Sequence, residues 1–570
     1  MKNKALKYII VYILELILLG LIYYISLPAL NFQSSELWML LAFVLLLALL
    51  PFGFKTKSTE ILEKGAKKKK SASTGSPILN FILDHLVEDR EHKEIKPRKL
   101  LFVVLIPIAV LLVGQIVSST FLNATRYAAI IDVTEANFSE DMPESDTVTN
   151  IALMDSETAA IVGNRTLGSL SHVVSQYEIS GKYTQINYKY TPKKVSNLEY
   201  AGFFKWLGNR DAGIPGYVMV DPVHNTAEYL ELSSPMVYVE SGFFGDDLMR
   251  KLRFDYPTKI FGTVRFEIDD EGTPIYIVPC MKARVGLFGA FDVGEVILFN
   301  PCTGESEIYA VSETPTWIDA VYDGDLATEK YNWKGMYSGG FWNSIIGNRD
   351  CKITTDDYGY IVIGDDVWYF TGVTSVNSDQ SNIGFIISNA RTGEYKFYPV
   401  IGAEEHSAMG AAEGEVQEKS YVASFPVLIN VEGKATYIMV LKDAGGLVKL
   451  YALVNVEKYS LVATGSNQEE AMSAYKALLR EEGIITDGGG EEDTDGALTA
   501  TVTVEDKTVY TVGGESVIYL TVTVDGEQIL LEKYFRDDKS LHFVSVGDTL
   551  TVTYLATESP KVFTLVSYTK

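Results

Sequence analysis

Histidine and cysteine are scarce in this chain of 570 residues, with six of the first and three of the second. The histidines (His85, His92, His172, His224, His406 and His542) are scattered, with no His-x-x-x-His or Cys-x-x-Cys spacing, so the usual zinc patterns are excluded. Three cysteines in so long a chain do not make a disulfide framework. Cys280 and Cys302 fall in strands that can neighbour each other, so one bridge between them stands beside the reading of three half-buried thiols. No Gly-x-Ser-x-Gly elbow, Walker loop, Ser-x-x-Lys or dinucleotide fingerprint occurs in a credible setting. Cys351 has no histidine near it in sequence, which leaves only spatial pairing to make it a nucleophile. No catalytic residue, cofactor or metal ligand is assigned on this basis.

Positive charge is also in short supply, at 49 Lys+Arg against 74 Asp+Glu for a net charge of −25. Residues 1–119 hold 15 basic and 9 acidic side chains, leaving 34 and 65 for the rest, so the proximal part is near +6 and the distal part near −31. A polyanion of that size repels nucleic acid and anionic headgroups and stays soluble. Nucleic acid is therefore not an expected partner.

Three long apolar runs stand out: Tyr8–Leu27, Leu37–Phe54 and Leu100–Ser118. Each is about long enough to cross a hydrocarbon core ~30 Å thick. Lys2, Lys4 and Lys7 precede the first run, Lys55, Lys57, Lys64 and Lys67–Lys70 follow the second, and Lys93, Lys96, Arg98 and Lys99 precede the third. All fall on one side if the chain starts inside, turns outside near Asn31–Ser35 and leaves for good at the third run. Everything beyond about residue 119 is then extracytoplasmic, on a multi-pass protein of the cytoplasmic membrane. A cleaved signal peptide at the first run competes with this reading, but a cut there would leave the basic loop on the wrong side. Glu15 and Gln115 lie within the runs. Either makes a functional contact in the membrane or a hydrogen bond between helices. Lys67–Lys70 reads as a topological signal or a site for anionic headgroups.

Beyond the third run the chain is organised around Thr263–Val311, whose strand, turn, strand pattern recurs at Tyr358–Val400 and at Phe425–Ala463, with a shorter upstream candidate at Ile214–Leu232. Asn300, Thr303, Gly304 and Glu305 align with Asn389, Thr392, Gly393 and Glu394. Repetition of this kind predicts a tandem array of small β-rich units. Helices are expected near Asn150–Leu170, with Asp155 or Ser156 as N-cap, at Ala403–Val416, rich in small residues, and at Gln468–Arg480, which is amphipathic. Gly483–Gly496 reads as a flexible acidic linker. Ala497–Lys570 alternates as strands around an Asp525-Gly526 hairpin, which predicts a small closed barrel of OB or SH3-like type. The expected divisions are 1–54 (helical hairpin), 55–99 (basic cytoplasmic loop), 100–118 (third span), 119–254 (lead-in α+β domain), 255–482 (β-rich repeats), 483–496 (linker) and 497–570 (barrel), in an α+β fold.

The acidic pairs Asp269/Asp270/Glu271, Asp356/Asp357 and Asp365/Asp366 offer oxygens to calcium. Each also falls where a hairpin turn is expected, and there Asp bonds nearby backbone N–H groups. Tyrosine-rich strands could present aromatic faces to glycan or peptide, or pack across strands in the core.

The strand, turn, Asn-x-x-Thr-Gly-Glu, strand pattern beside an amphipathic helix resembles PepSY-type modules, best at Phe266–Tyr309, Tyr360–Tyr398 and Val427–Leu453. Three N-terminal spans before a large ectodomain holding IGFIISNARTGEYKFYPV is similar to a group of Gram-positive membrane proteins. The resemblance implies a non-catalytic envelope role, often restraint of peptidases, and transfers no catalytic residues. Long insertions after Cys280 and Tyr309 depart from the simple pattern. The expectation is a membrane-anchored binding or scaffold protein whose partners are membrane lipid and an envelope protein, with a peptidase as the specific form and glycan second. An accessory subunit of a transport or secretion complex, contacted through Glu15, is the alternative. A hydrolase with a spatially assembled site, in which Cys351 or His406 meets a carboxylate, is the other.

Overall fold

The computed structural model describes residues 2–49, 97–145, 151–376, 381–485 and 497–570, apart from short gaps at 513–514, 525, 536–537 and 558–560. The protein is mixed α+β and divides into two compact units, Met1–Tyr475 and Lys476–Lys570.

The first unit begins with helices α1 (Lys2–Ser26), α2 (Ser35–Leu49), α3 (Pro97–Ser118) and α4 (Thr120–Ala128). Helix α2 packs on α3 and touches α1. Their outer flanks are apolar, with Leu16 and Ile25 both 68% exposed and Leu112 63%. The clear three-helix anchor expected from the apolar runs is not seen. Among the described residues no single helix is long and apolar enough to cross a membrane, although the bent pair Val103–Ser118 and Thr120–Ala128, angled by 51°, reaches that length and composition. The apolar stretches found on the first two helices, Tyr12–Ser26 and Ser35–Ala48, are shorter than a full span. The rest of the second run, with Lys67–Lys70 and the loop up to residue 96, lies outside the described residues.

Four sheets follow, and all take the same strand path. The first comprises β2 (Tyr177–Ile179), β3 (Thr184–Tyr188), β4 (Thr191–Tyr200), β5 (Ile214–Asp221) and β6 (Thr226–Met236); β1 (Thr134–Glu135) precedes it in the chain. The second holds β7 (Ile260–Phe261), β8 (Arg265–Ile268), β9 (Pro274–Val285), β10 (Gly289–Phe299) and β11 (Ser306–Ala310). The third holds β12 (Lys352–Thr354), β13 (Gly359–Ile363), β14 (Asp366–Ser375), β16 (Gly384–Asn389) and β17 (Tyr395–Tyr398), with β1 added in parallel on β17. Between and after these strands, β15 (Ser381–Asn382) pairs with β18 (Gly402–Ala403). The fourth holds β19 (Val422–Ala423), β20 (Val427–Val431), β21 (Lys434–Lys442), β22 (Val448–Asn455) and β23 (Val462–Gly465).

In every sheet one long strand pairs along one edge with two short ones, the hairpin partner at its start and the lead strand near its end. Strand β9 pairs with β8 at Pro274–Ile277 and with β7 at Cys280–Met281; β21 pairs with β20 at Lys434–Ile438 and with β19 at Leu441–Lys442. The same strand then leads into a three-stranded meander. Strands paired on both sides and covered on both faces are expected to be apolar without a break. Strand β14 is buried from Val367 to Thr374 and β21 from Ala435 to Lys442, whereas the outer strand β6 alternates with solvent.

The expected helices form at Ser156–Gly168, Glu405–Glu415 and Gln468–Glu481. Asp155 caps the first, its carboxylate accepting from Thr158 N at 2.8 Å.

The second unit is a closed barrel of β24 (Leu498–Val512), β25 (Glu515–Val524), β26 (Glu527–Tyr534), β27 (Thr549–Ala556) and β28 (Val562–Thr569), in the order β24-β25-β26-β28-β27. Strands β26 and β28 are parallel and the other pairs antiparallel. Alternating Thr and Val put one face inward, where Leu520, Leu531, Leu550 and Leu565 are fully buried. Val524 faces Glu527 across the expected hairpin, and Gly526 has φ +85°. Most of the expected linker, residues 486–496, lies outside the described residues.

Candidate functional site

The most regular feature of the first unit is the turn between the last two strands of each sheet. At β10–β11, Asn300 Oδ1 accepts from Cys302 N and Thr303 N at 2.9 and 3.1 Å, and Asn300 N donates to Glu305 O at 2.9 Å. At β16–β17, Asn389 Oδ1 accepts from Arg391 N and Thr392 N at 2.9 and 2.8 Å, and Asn389 N donates to Glu394 O at 2.9 Å. A short amide side chain suits this task because it mimics one backbone link of the turn. Gly304 and Gly393 follow at φ +75° and +73°, where a Cβ would be strained. Asp221 fills the same role in the first sheet, accepting from Val223 N and His224 N, and Asn455 does so in the fourth, accepting from Lys458 N at 2.8 Å.

The residue after the Asn in the last three turns holds the segment leaving the sheet before it. Pro301 O accepts from Val237 N and Tyr238 N, Ala390 O from Val321 N and Tyr322 N, and Val456 O from Ala403 N, all between 2.8 and 3.1 Å. The rings of Tyr238 and Tyr322 lie against Gly304 and Gly393, where an added Cβ would come within 2.6 and 2.8 Å of them. Glycine is needed there for close approach as well as for φ.

Buried carboxylates complete the joints. Glu267 is fully buried on β8 and accepts from Asp319 N and Ala320 N at 3.0 and 2.8 Å. Asp319, also buried, accepts from Asn187 N of β3 at 2.6 Å. Burial raises both carboxyls, and the neighbouring Glu267 raises Asp319 further. Glu405 accepts from Gly372 N at 2.6 Å and from the Thr355 hydroxyl at 3.0 Å, and burial pushes it up to about 7. Lys330 donates to Asp292 at 2.7 Å inside the protein. Oxygens taken by backbone N–H and shut away from solvent hold segments in place and offer a substrate no approach.

The two cysteines expected to neighbour each other are not bridged; all three thiols are free. The register explains the correction: Cys280 lies opposite Glu295, whereas Cys302 lies in the turn beyond the Tyr276–Phe299 pair. Burial pushes Cys280 up to about 12 and Cys302 up to about 11. The Cys351 sulfur is 3.4 Å from Asn343 Nδ2 and 3.6 Å from Met336 O, and its ring-bearing suitor His406 packs instead beside Phe425. Asp269–Glu271 and Asp365 lie in hairpin connections, Asp366 opens β14, and Asp356/Asp357 lie in the loop between β12 and β13. Asp269 accepts from Glu271 N and Thr273 N, and Asp366 holds Arg391 through both oxygens. Among the described residues no group of three or more His, Cys, Asp or Glu is placed to hold a metal ion. Glu15 is half-exposed and Gln115 exposed on their helices. Strand tyrosines such as Tyr276, Tyr369, Tyr398 and Tyr437 are buried, in keeping with cross-strand packing.

The helices are seated on the second sheet. Leu30 N donates to Pro257 O at 2.7 Å, and Gln33 exchanges hydrogen bonds with the backbone of Ala283. Ser118 Oγ, at the end of α3, accepts from Leu287 N and Phe288 N at 2.8 and 2.9 Å. Beside the α1–α2 loop is an open cavity of ≈ 400 Å³ lined by Asn31, Gln33, Lys259, Lys282, Arg284 and Glu295, among others.

No protein-family model matches the chain, and no curated protein matches its sequence.

Proposed function

We propose that this is a membrane-anchored, extracytoplasmic, non-catalytic scaffold of the bacterial envelope. Helices α1, α2 and the bent α3–α4 pair form the anchor, and the four same-path sheets are copies of one PepSY-like unit. The observation that carries this reading is the contrast in burial: the sheets and barrel bury their large apolar side chains, while the helices turn theirs outward. An apolar surface of that extent calls for lipid or another apolar partner. Lysines before the first run and between the second and third set the orientation.

Recognition rather than bond chemistry suits joints whose carboxylates are buried and bonded to backbone. The strand order of the barrel, with its parallel β26–β28 pair, favours the OB over the SH3-like form, and its acidic setting favours a protein or glycan partner over nucleic acid. An envelope peptidase is the specific partner expected. Protease added to whole cells should digest the region beyond residue 119, and protection of that region would remove the proposal. Pull-down with the full chain should enrich an envelope peptidase; capture of no peptidase would remove that specific form and leave the scaffold reading in place.

A further inference from the structure

Three parts of the sheet body reach down to the ends of the apolar helices. Phe254 packs on Tyr23 and Tyr24, in the last turn of α1, with ring centroids 6.1 and 6.2 Å apart. Phe288, at the tip of the β9–β10 hairpin, lies so close to Gly114 of α3 that a Cβ there would come within 2.4 Å of its ring. Phe341 and Trp342 meet Phe121, in the first turn of α4, at 5.1 and 6.0 Å. Three such points fix the level of the body against the helices.

At the third point the chain forms a short π-helical turn, Asn343–Gly347. Trp342 is 64% exposed, Ile345 60% and Ile346 77%. Three large apolar side chains within five residues, unburied beside an apolar helix, do not suit water. Tryptophan is the residue that favours the boundary between lipid and water, because its ring has an apolar body and a polar N–H. The cavity beside the α1–α2 loop brings Lys282 near the same helix ends, while Lys259 and Arg284 there are paired with Glu295 and Asp292.

We infer that the Trp342–Ile346 turn is a foot that inserts into the interfacial layer of the outer leaflet, so that the sheet body rests on the bilayer instead of standing clear of it. The inference rests on the anchor reading above. Its ligand is the lipid surface itself: Trp342, Ile345 and Ile346 take the acyl boundary, and the exposed Lys282 faces headgroup phosphates.

The test uses the full chain reconstituted into mixed phosphatidylcholine and phosphatidylglycerol vesicles, with and without brominated acyl chains. An environment-sensitive fluorophore is attached at Ile346→Cys and, in a separate protein, at Leu112→Cys in α3. Both positions are exposed, so neither substitution opens the core. The native thiols, raised by burial, react slowly at neutral pH, and labelling of the unsubstituted chain is subtracted. The expected result is loss of emission by a similar fold at both positions when the brominated lipid is present. Quenching at Leu112→Cys without quenching at Ile346→Cys would overturn the foot and leave the anchor intact. Absence of quenching at both would overturn the anchor and the foot together.

Discussion

The four-sheet unit and the barrel solve the problem of burial in different ways. The barrel closes on itself, so its strands have no free edge, and its core is made of Val, Leu and Ile with Tyr554. The sheets remain open and are held to one another by buried ionisable groups: Glu267 with Asp319, Glu405 with Gly372 and Thr355, and Lys330 with Asp292. Closure makes stability chiefly a matter of packing, with Lys507 tying the Leu541–Val544 carbonyls at its rim. Jointing makes it depend also on charge and pH.

Breaking a joint should have the largest effect. Lys330→Met takes the buried ammonium from Asp292 and leaves it the partly exposed Arg284 at 3.6 Å, a loss of up to about 3–5 kcal/mol. The double change Lys330→Met with Asp292→Asn should recover much of that in calorimetry of the full chain, and a double variant no more stable than the single would count against the pair. Leu531→Ala should cost about 2–5 kcal/mol through the cavity it leaves, lowering the barrel transition and leaving that of the sheets in place. A joint shift of both transitions would erase the distinction between the units.

The pH dependence sharpens the comparison. Glu405 is raised from 4.5 to about 7, so its contribution is fully present below pH 4.5 and is lost as pH rises through 7. At ~1.4 kcal/mol per pH unit, the loss between those limits is about 3 kcal/mol. The sheet transition should therefore fall between pH 5 and pH 8 and the barrel transition much less, and Glu405→Gln should flatten the slope of the first. An unchanged slope in that variant would show that Glu405 is not its source. The smallest effects belong to the turns. Asn300→Ala and Asn389→Ala each remove an acceptor for two backbone N–H groups, at about 1 kcal/mol apiece, and denaturant midpoints of the sheet transition should drop by equal steps.

The two matching turns were legible in the sequence because their chemistry is local: Asn at the first position and Gly at the fifth are needed by the backbone itself. The turns at Asp221 and Asn455 were harder to align, since the glycine is absent and only the short polar side chain remains. What unites all four sheets is the long strand with its split edge, and that pairing joins residues far apart in sequence. The joints were missed for the same reason. Glu267 stands two residues before Asp269, in a run where every acid reads as a turn; the sole hint was its place between the apolar Phe266 and Ile268. Of the two readings of Cys280 and Cys302, three separate thiols hold and the bridge does not, because of a register that composition does not reveal.

One bond has a direction. Pro301, Ala390 and Val456 each hold the strand of chain that arrives from the sheet made earlier, never the one made later. During synthesis each sheet must therefore wait for its successor to emerge before its own trailing residues find their place, which makes assembly a relay running from the amino end toward the carboxyl end. A chain halted after Ala423 would leave Ala403 N without the Val456 carbonyl that receives it, and protease sensitivity confined to the newest sheet of such halted chains is the signature to look for.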